Sequence, residues 1–105
     1  MRQIRTQIKM LLVASLGLLV LAACAGPPVQ EMSDARQAIE AAEEAGAIEH
    51  APMQLRFARD LITSAESKLE KRAYNQARRD ARLAREKAVE ALNISLDEED
   101  ERTPR

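Results

Sequence analysis

The residue with the most distinctive chemistry is the only cysteine of the chain, Cys24, which directly follows Leu21-Ala22-Ala23. A pair of small residues before a lone cysteine is the pattern that a lipoprotein signal peptidase cleaves. The thiol is then expected to carry a diacylglycerol as a thioether, and the new amine an N-acyl chain. A single cysteine cannot form an internal disulfide, so acylation also accounts for an odd cysteine in an exported chain. The sequence therefore predicts lipidation of Cys24.

The residues before the cysteine have the composition of a cleaved leader. Three basic residues and no acidic one precede an apolar run over residues 10–21. This run is shorter than the roughly 20 apolar residues of a spanning helix and matches the core of a signal peptide. We predict a signal peptide over residues 1–23, and a lipidated cysteine and tether over 24–32, extended by two prolines. The alternative is an uncleaved N-terminal anchor with an idle cysteine.

The remainder of the chain is acidic and poor in aromatic residues. Residues 24–105 hold all 17 acidic residues and 13 of the 16 basic ones, which leaves a net charge of −4. Nucleic-acid-binding proteins usually have a strongly basic surface, so this class is disfavoured. With no tryptophan, one tyrosine and one phenylalanine, the chain has little aromatic mass for an enclosed ligand pocket.

Alanine-rich apolar stripes at spacings of three and four predict an all-α fold with three helices, over residues 33–46, 52–72 and 74–92. Ser33 is expected to be the first N-cap, and Gly46 the stop of that helix. The last two segments are expected to form a helical hairpin in a short antiparallel bundle. One long helix over 52–92 is the alternative. Residues 93–105 are predicted to be a disordered acidic tail because five acids stand in a row.

Residues 35–92 resemble a family of small bacterial lipoproteins with a helical domain of unknown function, which is sometimes fused to an OmpA-type peptidoglycan-binding domain. The resembling residues are Ala35-Arg36-Gln37-Ala38-Ile39, Ala41-Ala42-Glu43, Gly46-Ala47, Ala51-Pro52, Leu55, Ala58-Arg59, Leu69, and Tyr74, Ala77, Ala81 and Ala84. His50 stands where members usually have tyrosine. The resemblance implies an envelope location and an antiparallel helical fold, and it brings no catalytic residues.

The position after the cysteine bears on localisation. In lipoproteins similar to this chain, an aspartate there commonly retains the protein in the inner membrane, and here the residue is Ala25. We therefore expect an outer-membrane lipoprotein that faces the periplasm and acts as a structural or interaction module. The sequence shows no nucleophile–base arrangement, phosphate loop or metal-ligand spacing, so we expect neither enzyme activity nor a cofactor beyond the acyl chains.

A basic stripe on the third predicted helix is the candidate binding site, formed by Arg78, Arg79, Arg82 and Arg85. Its expected partner is anionic: a phospholipid headgroup, an anionic glycolipid such as lipopolysaccharide, or the carboxylates of peptidoglycan. The alternative is a solvated face, or one that is paired with acids of the first helix (Glu40, Glu43, Glu44 and Glu49). Other expected partners are an envelope protein or, through a coiled coil over residues 52–92, a second copy of the chain.

Overall fold

The computed structural model describes residues 2–102, and for residues 17–25 it describes the backbone alone. Within these limits the chain is all-α and contains no strand, as predicted. Five helices follow one another along the chain: α1 (Arg2–Ala25), α2 (Val29–Glu44), α3 (Ala47–His50), α4 (Pro52–Glu70) and α5 (Tyr74–Arg102).

Helices α2, α4 and α5 form an antiparallel bundle. The long helix α5 packs against α4 and also against α2, whereas α2 and α4 pack less extensively on each other. The single turn α3 connects α2 to α4 and contacts all three helices of the bundle. The predicted hairpin is therefore confirmed, and the alternative of one long helix over residues 52–92 is wrong.

The core of the bundle is built mainly from alanine. Of the fifteen buried hydrophobic residues in the described part of the chain, eleven are alanine, and the larger ones are Met32, Ile39, Leu55 and Ile62. On α5 the buried apolar positions are Ala77, Ala81, Ala84, Ala88 and Ala91. Because a methyl group fills little space, the backbone of α5 lies close to both neighbouring helices. The predicted stripes are thus the buried faces.

The first bundle helix begins at Val29, four residues before the predicted start at Ser33. Pro28 is the N-cap residue and is itself fully buried, and the Met32 backbone N–H donates to the Pro28 carbonyl at 3.0 Å. Met32 belongs to the core. The Ser33 hydroxyl accepts a hydrogen bond from Gln37 Nε2 at 3.3 Å instead of capping the helix. The predicted tether is accordingly too long at its C-terminal end.

Helices α2 and α4 are each followed by a residue with positive φ. Gly46, with φ of 87°, follows α2, and the prediction of a glycine stop there is confirmed. Arg72, with φ of 60°, follows α4. The Ala73 N–H donates to the Lys68 carbonyl, and the Arg72 N–H donates to the Leu69 carbonyl. These two bonds form a Schellman motif with arginine at the position that usually holds glycine.

Helix α5 continues to Arg102, ten residues beyond its predicted end at Leu92. Ile94 packs against the core, and the fully buried Ser95 donates its hydroxyl hydrogen to the Ala91 carbonyl at 2.8 Å. Residues 96–102 remain helical and are exposed. The prediction that the tail is disordered from residue 93 is therefore wrong for the part up to residue 102.

Helix α1 lies apart from the bundle. Across the residues that the structure describes, α1 makes no packing contact with the other helices. None of the described helical stretches is both long enough and apolar enough to cross a membrane. The backbone of Cys24 lies in α1, and its side chain lies outside the described residues, so the predicted lipidation remains a prediction.

Candidate anionic-partner site

The four arginines of the predicted stripe lie on the first turns of α5 but in different environments. The Arg78 side chain retains only 18% of its accessible surface, whereas that of Arg82 retains 68%. Arg79 and Arg85 are exposed. The stripe is therefore not one uniform face: the Arg78 side chain is largely buried, and the other three arginines are exposed.

Arg78 is held by contacts at the start of the bundle. Its Nη2 donates to the Gly26 carbonyl at 2.9 Å, and its Nη1 donates to Asn75 Oδ1 at 3.1 Å. Its Nε lies 3.3 Å from Glu31 Oε1. Because the contacts of Arg78 with Gly26 and Glu31 are partly buried, they are less screened by salt than those of a surface pair. Arg78 thus fixes the chain before α2 onto α5 and is not free to bind a partner.

The acid that pairs with the stripe is Glu31, which the sequence placed in the tether. Arg82 Nη2 lies 3.8 Å from Glu31 Oε1. The alternative of pairing with the acids of the first helix is wrong for Glu43, which instead accepts hydrogen bonds from Arg59 of α4 at 2.8 and 3.2 Å. Glu40, Glu44 and Glu49 have no ion pair among residues 2–102.

Asp80, beside Arg79, joins α5 to α4. It accepts hydrogen bonds from Ser64 Oγ at 2.7 Å and from Lys68 Nζ at 2.5 Å. Desolvation by burial on its own would raise the pKa of Asp80. The hydrogen bonds from Lys68 and Ser64 and the positive charges of Lys68 and Arg79 lower the pKa by more than burial raises it, so the pKa lies below its ordinary value. A carboxylate with a lowered folded-state pKa stabilises the fold above the unfolded pKa of about 3.9, and this contribution is lost as the pH falls through the folded value.

A second group of basic residues overlaps the stripe at Arg79, and the sequence analysis did not single out its other two members. We call it the turn cluster: Lys71 and Arg72 in the α4–α5 turn and Arg79 in the second turn of α5. All three are exposed, and none forms an ion pair within the described residues. The available signal was that residues 71–79 carry four bases and no acid. It was missed because helical spacing alone defined the stripe.

Two other kinds of site would be a metal centre and an aromatic contact. No group of three or more histidine, cysteine or acidic side chains that could hold a metal ion occurs among the described residues. Phe57 of α4 is half exposed, and Lys87 Nζ of α5 lies 5.9 Å from the centroid of its ring. Met53 and Glu90 line the same shallow depression. The exposed arginines therefore remain the candidate site.

Comparison with known proteins gives one match. No curated protein and no solved structure matches the chain. The model of a family described as Domain of unknown function (DUF4398) matches residues 30–102, which include α2 from its second residue, α3, α4 and α5. This range covers the whole bundle and more than half of the chain. The residues of the helical bundle are thus the ones that match, and the chain belongs to the DUF4398 family.

Proposed function

We propose that the protein is a non-enzymatic lipoprotein of the bacterial outer membrane whose bundle faces the periplasm as a structural or interaction module. Cys24 is its acylation site, and the segment before Cys24 is removed as a signal peptide. The Leu21-Ala22-Ala23-Cys24 pattern supports this proposal, as do the basic start and the apolar run that precede it.

The observation that carries the proposal is the division of the chain near residue 26. Helix α1 makes no packing contact with the bundle within the described residues, and the bundle's contacts begin at Gly26 with the bond from Arg78. Pro28 and Met32 then enter the core. Cleavage before Cys24 would remove none of the described side chains that form this core, which supports a bundle that survives the processing of a lipoprotein.

The direct test is the mass of the N-terminal peptide isolated from cells. We expect it to begin at Cys24 and to carry a diacylglycerol and a third acyl chain. Cys24→Ser should remove the label from radioactive palmitate and leave the precursor uncleaved. Ala25→Ser, which keeps the thiol and changes the next residue, is the matched control and should still be labelled. A native protein that begins at Met1, or that bears no fatty acid, would overturn the proposal.

A second candidate function is the binding of peptidoglycan or an anionic glycolipid by the exposed members of the stripe. Arg82 and Arg85 favour it, because both are exposed and line a shallow groove with Glu86 and Val89. We expect Arg82→Ala with Arg85→Ala to lower the retention of the protein on purified sacculi or on lipopolysaccharide micelles.

The control for this test removes the same charge elsewhere. Arg56→Ala with Arg102→Ala changes two exposed arginines away from the groove and should leave retention unchanged. Equal retention of both double variants would remove the second candidate and leave lipid anchoring untouched.

A further inference from the structure

The position of Gly26 determines which end of the bundle lies nearest an acylated Cys24. The Gly26 carbonyl accepts a hydrogen bond from Arg78 Nη2 at 2.9 Å, and Pro28 is fully buried. Two residues of chain span at most about 7 Å. Cys24 is therefore confined to the neighbourhood of Gly26, at the end of the bundle where α5 begins.

The turn cluster lies at this same end. Because α4 and α5 are antiparallel, the turn that joins them stands beside the first turns of α5, where Arg78 binds Gly26. Lys71, Arg72 and Arg79 are exposed there and have no ion pair within the described residues. Three exposed cations without an ion pair among the described residues thus lie at the end of the bundle from which the chain would leave for its lipid.

The opposite end of the bundle is acidic. Helix α5 has 29 residues and is about 43 Å long at 1.5 Å per residue. Its last turns carry Asp97, Glu98, Glu99, Asp100 and Glu101. Helix α2 also ends away from Gly26, with Glu44 and with Glu43, which is paired with Arg59, and α3 adds Glu49. Negative charge is therefore concentrated far from Gly26, whereas at the α4–α5 turn the three cations of the turn cluster outnumber the one exposed acid, Glu70.

The backbone of Arg72 is a separate indication that charge is retained in the turn. Its φ of 60° is a left-handed conformation that is unfavourable for an L-residue and that glycine adopts readily. Glycine occupies the corresponding position after α2, at Gly46. An arginine at the strained position places a cation at the tip of the turn in spite of this cost.

We propose that the turn cluster contacts the headgroups of anionic phospholipid, so that the bundle stands on the membrane with the acidic end of α5 pointing away. This inference rests on the proposed function, because it needs acylated Cys24 to hold the domain at the membrane. Basic residues close to an anionic leaflet are attracted to it, and acidic ones are repelled. Both effects act in the same direction here.

The experiment measures which end of the acylated protein lies near the headgroups. An acylated Cys24 has no free thiol, so a cysteine introduced at Gln76 or at Glu98 can be labelled alone with a fluorophore. Gln76 is exposed on the first turns of α5, and Glu98 is exposed near its other end. The full acylated protein is reconstituted into vesicles of phosphatidylcholine, with or without phosphatidylglycerol, that contain a headgroup-linked nitroxide quencher.

The matched variants remove three charges each. Lys71→Ala, Arg72→Ala and Arg79→Ala together delete the turn cluster, whereas Arg36→Ala, Arg56→Ala and Arg102→Ala together delete exposed arginines outside both the stripe and the turn cluster. We expect quenching at residue 76 but not at residue 98. The difference in quenching between the two positions should be larger in vesicles that contain phosphatidylglycerol. Loss of the turn cluster should reduce the preference for this orientation by roughly fivefold per residue, and the control variant should not.

The outcomes separate this inference from the proposed function. Mass spectrometry of the same preparation reports acylation, and an absent acyl group would overturn both. If the protein is acylated, then equal quenching at the two labels overturns the inference alone. The inference is also overturned if the difference in quenching between residues 76 and 98 is equal in both lipid mixtures. It is overturned as well if that difference persists in the variant without the turn cluster. Loss of this difference in both triple variants would show a net-charge effect and would also overturn it.

Discussion

Replacing Arg72 by glycine should stabilise the bundle. Arg72 has φ of 60° at the end of α4, and a left-handed conformation costs an L-residue roughly 1–2 kcal/mol. Glycine loses about 0.5–1 kcal/mol more backbone entropy on folding than other residues do. The exposed Arg72 side chain has no ion pair within residues 2–102, so its removal offsets little of the gain. We expect the free energy of unfolding to rise by about 0.5–1 kcal/mol.

The assay is urea unfolding of the full-length protein in mild detergent, followed by circular dichroism at the helical minimum. For a domain of this size the expected gain corresponds to a rise in Tm of roughly 3–6 °C. The slope of the free energy against urea should stay the same, because the surface exposed on unfolding is unchanged.

Two neighbouring variants make this prediction specific to the backbone. Lys71 has φ of −82°, so Lys71→Gly should destabilise the bundle by about 0.5–1 kcal/mol. Arg72→Ala removes the same charge as Arg72→Gly but keeps the left-handed conformation, and its effect should be close to zero. If Arg72→Ala stabilises as much as Arg72→Gly, charge repulsion and not backbone strain is the cause, and the reasoning is refuted.

Three further predictions concern the turn after α2, the α4–α5 contact and the core. Gly46→Ala should cost about 0.5–1 kcal/mol in urea unfolding, because the strain of alanine at φ of 87° exceeds the backbone entropy that replacing glycine saves, and a neutral result would contradict the backbone argument. Asp80→Asn should cost about 1.5–3 kcal/mol at pH 7 through its weakened bonds to Lys68 and Ser64. This difference should shrink below about pH 4, where wild-type carboxylates become protonated, and a pH-independent difference would count against the lowered pKa. Ala84→Leu should cost about 1–3 kcal/mol by overpacking, whereas Ala38→Leu at a partly exposed site of α2 should cost less.

The apolar stripes were predictable because helical periodicity acts locally. Ala35, Ile39 and Ala42 on α2, and Ala77 and Ala81 on α5, recur at three and four residues and are all buried. The hairpin also followed from the need to bury two such stripes. Its turn carried no recognisable signal, since the left-handed position holds Arg72 and not glycine.

The ends of helices were harder to predict, because tertiary contacts decide them. Pro27 and Pro28 indicated an extended tether, but Pro28 is tolerated as an N-cap residue and is buried in the bundle. At the other end, Ser95 is polar and yet buried, because its hydroxyl is satisfied by the Ala91 carbonyl one turn earlier. Once Ile94 and Ser95 extend the helix, each further residue adds one backbone bond for one residue fixed, without the cost of a new nucleus.

The candidate site was only partly readable from the sequence. The exposed positions of Arg82 and Arg85 fit the predicted stripe, but the inward position of Arg78 depends on Glu31 and Gly26, which are 47 and 52 residues away. Spacing along one helix cannot reveal such partners. The same limit hid the closeness of the turn cluster to the segment that follows Cys24.

An alanine core also affects how the stability of the bundle depends on temperature. Alanine has no side-chain rotamers to lose, so burying it costs no side-chain entropy, and it removes little apolar surface from water. The heat capacity change of unfolding grows with the apolar surface that becomes exposed, so it should be small per residue here. A small heat capacity change flattens the stability curve, and the folded bundle should keep a similar margin of stability in cold and in warm surroundings.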